Sequence, residues 1–337
     1  MRMPYLEGVR SRRDWRRIFI FSGVGFVILL VLFLLTYANY FGPADTHAVT
    51  TEFIVKPDTS VFEITKELRA QGFIKSSTAF HIAFARYAGG REILEGGYEI
   101  SGSQDVWTIA KILSSPPYLA WVTFPPGLRK EQIANILQKK LGWSDEEKEH
   151  WIRIDTAPTP ALVEGVYFGD TYLIPTDQDP AQVAARLRGR FEDATAEYAA
   201  DAKRQGIAWT DVLTMASLIE REAAKSDKKL IAGILWNRID DGMRLQVDAT
   251  LQYIRGTDEN WWPTPSPEDK KIDSAFNTYM YAGLPPHPIA SPSLESIDAA
   301  LNPEKTSCIY YLHDPDGTIH CSAAYAGQIA NVNKYLK

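Results

Sequence analysis

The longest feature in the hydrophobic pattern is Ile18–Tyr40, IFIFSGVGFVILLVLFLLTYANY, an apolar run without a charged side chain. A helix of that length crosses a hydrocarbon core of about 30 Å, so the pattern predicts a transmembrane helix over residues 18–41. Trp15 on one side and Tyr37, Tyr40 and Phe41 on the other are residue types that settle at membrane interfaces. A cleaved signal peptide is the competing explanation, but the run exceeds the usual apolar core of such a peptide and no small-residue cleavage site follows it promptly. Beyond Gly42-Pro43-Ala44-Asp45 the pattern changes. TEFIVKPDTSVFEITKEL (Thr51–Leu68), YEISGSQDVWTIAKIL (Tyr98–Leu113) and WVTFPPGLRKEQIANIL (Trp121–Leu137) each read as a short strand, a turn residue and a helix. Their pairs Ile64/Leu68, Ile109/Leu113 and Ile133/Leu137 are spaced by four, which puts each pair on one helical face. Ser60 and Asp105 stand four before the isoleucine, where an N-cap belongs; the third segment has Arg129 there, so its cap has to come from elsewhere.

Between the first two segments, Thr78–Tyr87 (TAFHIAFARY) reads as a helix stopped by Gly89-Gly90. The resulting strand-helix-helix-strand order resembles the LysM class of small glycan-binding modules, which assigns residues 45–117 to a LysM-like module. A plain spacer that holds the rest of the chain off the membrane fits the pattern equally well. Residues 118–337 are expected to form a second, mixed α/β domain. Pro158 and Pro160 break the chain there, helices follow over about Pro180–Arg204, Trp209–Ala224 and Lys229–Asp241, and proline-rich loops occupy Trp261–Pro267 and Pro285–Pro292. A last helix is expected over Ala324–Leu336. The fold class is therefore α+β: one N-terminal transmembrane helix, a LysM-like α/β module and a mixed α/β domain. Cys308 and Cys321 flank two short strands around an Asp-Pro-Asp-Gly turn. An oxidising compartment would permit a bridge across that hairpin, and two free, small core residues are the alternative.

Charge adds an orientation. The net charge is −6, yet residues 1–17 carry six arginines against Glu7 and Asp14, a local +4, which leaves −10 from Asp45 onward. The basic tail (1–17) is thereby expected on the cytoplasmic side of the membrane, with the part beyond the span outside. An acidic outer part argues against nucleic acid, whose phosphates need a basic surface, and is compatible with a neutral or peptide-bearing polysaccharide. The six histidines are scattered, and there is no glycine-rich phosphate loop or G-x-S-x-G elbow, so neither a metal nor a cofactor is expected.

One carboxylate stands out. In DVLTMASLIEREAA (Asp211–Ala224), which Thr210 could cap, Glu220 has Ala216, Ser217, Ala223 and Ala224 as helical neighbours. Such small, mostly apolar surroundings offer no local cation and predict a raised pKa, suited to a general acid. Glu222 instead neighbours Lys225 and Ser226 and reads as an ordinary solvated surface charge.

Met215–Tyr253 together with FNTYMYAGLPPHPIASPS (Phe276–Ser293) resembles the core of the MltG-type endolytic murein transglycosylases, the YceG-like family. The family's motifs appear in order as Glu220-Arg221-Glu222, Asn237-Arg238-Ile239, Gly242–Thr250, Asn277-Thr278-Tyr279 and Gly283–Ile289. The anchor and the LysM-like segment match the family's layout, so the resemblance covers nearly the whole chain. It implies a lytic transglycosylase that cleaves between N-acetylmuramic acid and N-acetylglucosamine in nascent peptidoglycan strands and limits their growth. It places the catalytic glutamate at Glu220, with the muramic C6 hydroxyl closing onto C1 as a 1,6-anhydro ring, and implies glycan strands as partner, with peptidoglycan synthases or division proteins beside them. Gln246, Asp248, Thr250, Asn277, Thr278 and Tyr279 fall on the motifs as candidate substrate-binding groups; capping or turning the loop is their structural alternative.

This chain departs from the family pattern at three places. The family's E-G-x-x-F-P-D-T-Y is Glu164–Tyr172 with Gly169 for the proline; the D-P-T proline is Ala249; a terminal phenylalanine and E-H pair are Cys321 and Gly327-Gln328. Two rival functions remain open at this level: a non-catalytic wall-binding scaffold and a glycan hydrolase that uses water. Cleavage position along the strand, dependence on peptide stems and oligomeric state are beyond the residues.

Overall fold

The computed structural model describes residues 12–157, 163–224 and 226–337, with side chains from residue 19 onward. The side chains of the basic tail's arginines and of Trp15, the Pro158/Pro160 break and Lys225 lie outside what is described. The chain divides into two compact units, residues 1–119 and 120–337.

In the first unit, α1 (Arg12–Phe41) contains the apolar span Phe19–Phe41, long and apolar enough to cross a membrane. It is followed by β1 (Thr51–Val55), α2 (Val61–Ala70), α3 (Ser77–Ala88), β2 (Gly96–Ile100) and α4 (Val106–Leu113). β1 and β2 pair antiparallel with Phe53 opposite Tyr98, and both side chains are buried. The caps sit where the pattern places them: the Glu63 N–H donates to Ser60 Oγ (3.3 Å) and the Thr108 N–H to Asp105 Oδ1 (2.8 Å). Ile64, Leu68, Ile109 and Leu113 are all fully buried in one core with Phe53, Phe80 and Tyr98. Each such side chain contributes roughly 1.5–3 kcal/mol, more than the ~1 kcal/mol of a cap, so the caps fix where the helices begin and the isoleucine–leucine faces hold them down.

The second unit holds most of β3 (Leu119–Thr123), then α5 (Lys130–Leu141), α6 (Asp145–His150), a single π turn, β4 (Thr171–Pro175), α7 (Pro180–Gln205), α8 (Trp209–Glu222), α9 (Lys228–Asp240), α10 (Asp248–Arg255), α11 (Leu294–Leu301), β5 (Tyr310–His313), β6 (Ile319–Ser322) and α12 (Tyr325–Tyr335). β4 lies beside β3, joined past its end by the Phe124 N–H to Asp170 O (3.2 Å). α8 is the central helix: Val212 to Ile219 are all buried, and α7, α9, α10 and α11 surround it. A helix apolar on every side has to sit inside a core. It starts one residue before Thr210, after Ala208, so Thr210 is not its cap; that residue lies in the first turn, and its carbonyl accepts from Thr214 Oγ1 (2.7 Å).

The third isoleucine–leucine pair, Ile133 and Leu137, is buried as well, in the second unit's core. The missing cap of α5 comes from Glu164, whose two carboxylate oxygens accept the Lys130 N–H at 3.2 and 3.1 Å. Glu164 is fully buried, also accepts the Gly165 N–H, and is pushed above the usual carboxylate range by burial and by the charge of Glu131. β5 and β6 form the antiparallel hairpin, with the Asp314 N–H donating to Thr318 O (3.0 Å) across the turn, and Cys308 and Cys321 are joined by a disulfide.

Candidate active site

Glu220 lies at the end of α8 with its side chain 14% exposed. Its Oε2 accepts four hydrogen bonds: from the Ser293 N–H (3.0 Å), Ser293 Oγ (2.5 Å), Ser296 Oγ (2.5 Å) and Lys228 Nζ (3.2 Å). Among the described residues none donates to Oε1. Ser293 is the N-cap of α11, so the carboxylate lies against a helix N-terminus whose dipole favours negative charge. Lys228 opens α9 and also donates to Ser293 Oγ (2.9 Å).

This differs from the raised pKa expected from the helix neighbours. Burial does push the Glu220 carboxyl up, but the Ser293 and Ser296 hydroxyls, the Ser293 N–H and the Lys228 ammonium outweigh it and hold the group below the usual range. The carboxyl therefore rests as a carboxylate, one oxygen saturated and the other without a donor among the described residues.

Glu222 is half-buried like Glu220, but both of its carboxylate oxygens are engaged. Its Oε2 accepts from Tyr311 on β5 (2.9 Å) and its Oε1 from the Ala249 N–H at the start of α10 (3.3 Å). Burial raises its pKa, with Asp248 adding to the rise, and the two hydrogen bonds only partly offset this. The solvated reading of Glu222 is thus corrected: its partners come from 27 and 89 residues away. The departure at Ala249 bears directly on this contact, since a proline there would have no N–H to give.

The loop before α11 is fixed onto α8. Ile289 N–H donates to Ser217 Oγ (3.0 Å), one turn before Glu220, while Ser291 and the 127–128 segment exchange backbone bonds of 2.7 and 2.9 Å. Gly165, at φ +82°, is pressed against Pro288, where a Cβ would come within 2.5 Å of the ring. Gly169 has the Pro126 nitrogen 2.6 Å from where a Cβ would stand, so the residue replacing the family proline allows close packing on Pro125-Pro126. Beyond Glu220, Arg221 stacks on Trp262 (3.8 Å) and Arg129 on Tyr253 (4.2 Å), forming an aromatic wall with Phe276 and His287.

The six candidate binding residues divide evenly. Gln246 and Asp248 are exposed, and Tyr279 is half-buried and donates to Asp248 Oδ1 (2.6 Å). Gln246 holds a left-handed backbone at φ +53°, a strained conformation of the kind that clusters at binding sites. Thr250, Asn277 and Thr278 are buried and occupied. Thr278 Oγ1 accepts the Val247 N–H (3.0 Å) and bonds Thr250 Oγ1 (3.0 Å), and the Asn277 amide donates to Lys270 O and Ile272 O. These three shape the loop that presents the others. Lys228, Ser293 and Ser296 escaped the sequence reading. The S-L-E-S at Ser293–Ser296 carries an N-cap signal, but nothing local says that the cap also holds a carboxylate 73 residues earlier.

Residues 53–334 match the YceG-like family. Proteins named endolytic murein transglycosylase are similar: that of Streptococcus pneumoniae D39 is 28% identical over 86% of this chain, and that of Bacillus subtilis 168 is 29% identical over 82%. The chain spans 61% of the pneumococcal protein's length and 82% of the Bacillus protein's. A crystal structure of a YceG-like protein from Listeria monocytogenes shares the fold at a TM-score of 0.61, 24% identity and coverage of 83% of this chain and 98% of its own. With the match running from Phe53 into the last helix, the chain belongs to the YceG-like family.

Proposed function

We propose that the protein is a membrane-anchored lytic transglycosylase that cuts peptidoglycan glycan strands internally, between N-acetylmuramic acid and N-acetylglucosamine, with Glu220 as acid and then base. The observation that carries this is the asymmetric carboxylate of Glu220: Oε2 is held by four donors and Oε1 is left for the substrate.

The resting Glu220 carboxylate first takes a proton from solvent on Oε1, so the reaction proceeds from the protonated fraction of the protein. That proton passes to the leaving O4 of N-acetylglucosamine as the bond from muramic C1 to O4 breaks. The C6 hydroxyl of the same muramic residue attacks C1, its proton returns to Glu220, and a 1,6-anhydro ring closes with no water consumed. A glycosidase that uses water, or a covalent intermediate, needs a second carboxylate at the bond. Glu222 does not fill that role, because both its oxygens are engaged by Tyr311 and the Ala249 N–H. The internal hydroxyl instead gains an intramolecular advantage, and one group serves both proton transfers in turn. Gln246, Asp248 and Tyr279 supply amide, carboxylate and phenol groups for acetamido and hydroxyl contacts, and the aromatic wall supplies sugar-stacking faces.

The remaining parts of the proposal follow from position. The basic tail is cytoplasmic, the span lies in the inner membrane, and the rest is periplasmic. The Thr51–Leu113 region acts as a LysM-like glycan holder, supported by a cavity of about 520 Å³ between the β1–α2 and α3–β2 loops, lined by Asp58, Thr59, Ser60, Glu92 and Leu94. Cutting nascent strands limits their elongation beside the synthases and division proteins. The test is strand cleavage by wild type and Glu220→Gln in detergent. The expected result is complete loss of cleavage with strand binding retained; cleavage at wild-type rate by the variant would refute the assignment.

A further inference from the structure

At the C-terminal end of the apolar span, α1 continues into the first unit without a free tether. The Asp45 N–H donates to Gly102 O (2.9 Å) and Ser101 Oγ to Ala48 O (2.8 Å), so the residues just after the helix are bonded to the turn that precedes α4. Rings follow one another across the same joint: Phe33 and Tyr37 at 6.2 Å, Tyr37 and Phe41 stacked at 5.0 Å, Phe41 and Trp107 stacked at 5.4 Å. Trp107, in the first turn of α4, also donates its indole N–H to the Tyr37 hydroxyl (2.9 Å).

Tyr37 belongs to the span, four residues before its end at Phe41. At 1.5 Å per residue it lies about 6 Å inside that end, at the depth where tyrosine and tryptophan rings settle in a bilayer. Whatever bonds its hydroxyl shares that depth. Resting on the reading of α1 as a membrane span, we propose that Trp107 is a lipid-contacting residue that seats the Thr51–Leu113 module on the leaflet at the C-terminal side of the span. The module is then a membrane-surface body rather than a domain on a flexible stalk. Asp45 and Asp105 at the joint, the latter occupied as the α4 cap, offset Lys111 one helical turn beyond Trp107, so the attraction comes from rings and anionic lipid headgroups add little. Its strength is accordingly the same on zwitterionic and anionic bilayers.

The test uses the full chain in vesicles, of phosphatidylcholine alone and with phosphatidylglycerol added, carrying nitroxide either on the headgroup or deep in the acyl chain. Trp107 emission is the wild-type signal minus that of Trp107→Phe, which keeps the ring stack. The expected result is a blue-shifted emission quenched more by the headgroup label than by the deep one, equally on both lipid compositions. Emission that neither label quenches, quenching that is stronger from the deep label, or quenching that needs the anionic lipid overturns the proposal. Flotation of Trp107→Phe with the vesicles separates these outcomes from a failure of the anchor itself, since a chain that does not float has no span to seat against.

Discussion

Replacing Lys228 by methionine removes the cation beside Glu220 while keeping the length of its stem. At 3.2 Å and an effective dielectric of about 20, the bare attraction is about 5 kcal/mol. Part of it is already spent, because the ammonium also serves Ser293 Oγ and has Glu295 at 3.9 Å. A hydrogen bond to a charged group is worth a net ~1.5–3 kcal/mol, and losing this one raises the Glu220 pKa, with the Ser293 and Ser296 donors, which lower it more, still in place. The sign follows from the role: the acid step needs Glu220 protonated, so kcat/KM falls as pH rises through its pKa. Lys228→Met therefore moves that falling limb to higher pH, whereas Lys228→Arg leaves it near the wild-type position. The assay is kcat/KM for purified glycan strands from acid to neutral pH, with folding checked in parallel by circular dichroism. A limb that does not move, or that moves to lower pH, would show that Lys228 does not tune Glu220.

Ser296→Ala removes one of the three hydroxyl and amide donors to Oε2 and moves the same limb upward, while Ser293→Ala does so and also costs about 1 kcal/mol as the α11 N-cap is lost, readable by denaturant unfolding. Glu164→Ala leaves the Lys130 and Gly165 N–H groups without their buried acceptor and costs about 1–3 kcal/mol in the same measurement. Glu164 and Glu222 have folded pKa values raised above the unfolded one, so the stability they contribute is fully present below pH 4.5 and is lost as pH climbs through the folded values; Glu222→Gln is expected to flatten part of that decline in melting curves recorded against pH. Reducing the Cys308–Cys321 bond, which closes a loop of 13 residues, lowers stability by up to about 3 kcal/mol, measured by unfolding with and without reductant.

Much of the architecture was legible because it rests on local periodicity. The pairs Ile64/Leu68, Ile109/Leu113 and Ile133/Leu137 announced three packed helices, and Ser60 and Asp105 announced two of their starts. The third start was unreadable: its acceptor, Glu164, is 34 residues from Lys130 and reaches it only in the fold. The same limit governed the site. Helix neighbours describe what lies within one turn, and by that measure Glu220 looked dry and Glu222 looked wet. The fold overrides both by bringing polar and cationic partners, Lys228, Ser293 and Ser296, to the first and Tyr311 and the Ala249 N–H to the second. Motif order singled out Glu220 as the candidate carboxylate but did not separate exposed polar groups from groups that hold the loop. Thr278 and Asn277 carry the same polar atoms as Tyr279, and only their burial reveals them as scaffold.

The central claim is that Glu220 works alone with a nucleophile supplied by the substrate, and product mass tests it most directly. Purified glycan strands digested by the wild-type protein are expected to yield fragments ending in 1,6-anhydro-muramic acid, lighter by one water than hydrolytic ends, and Glu220→Gln is expected to yield none. Fragments with hydrated reducing ends from the wild-type protein would contradict it.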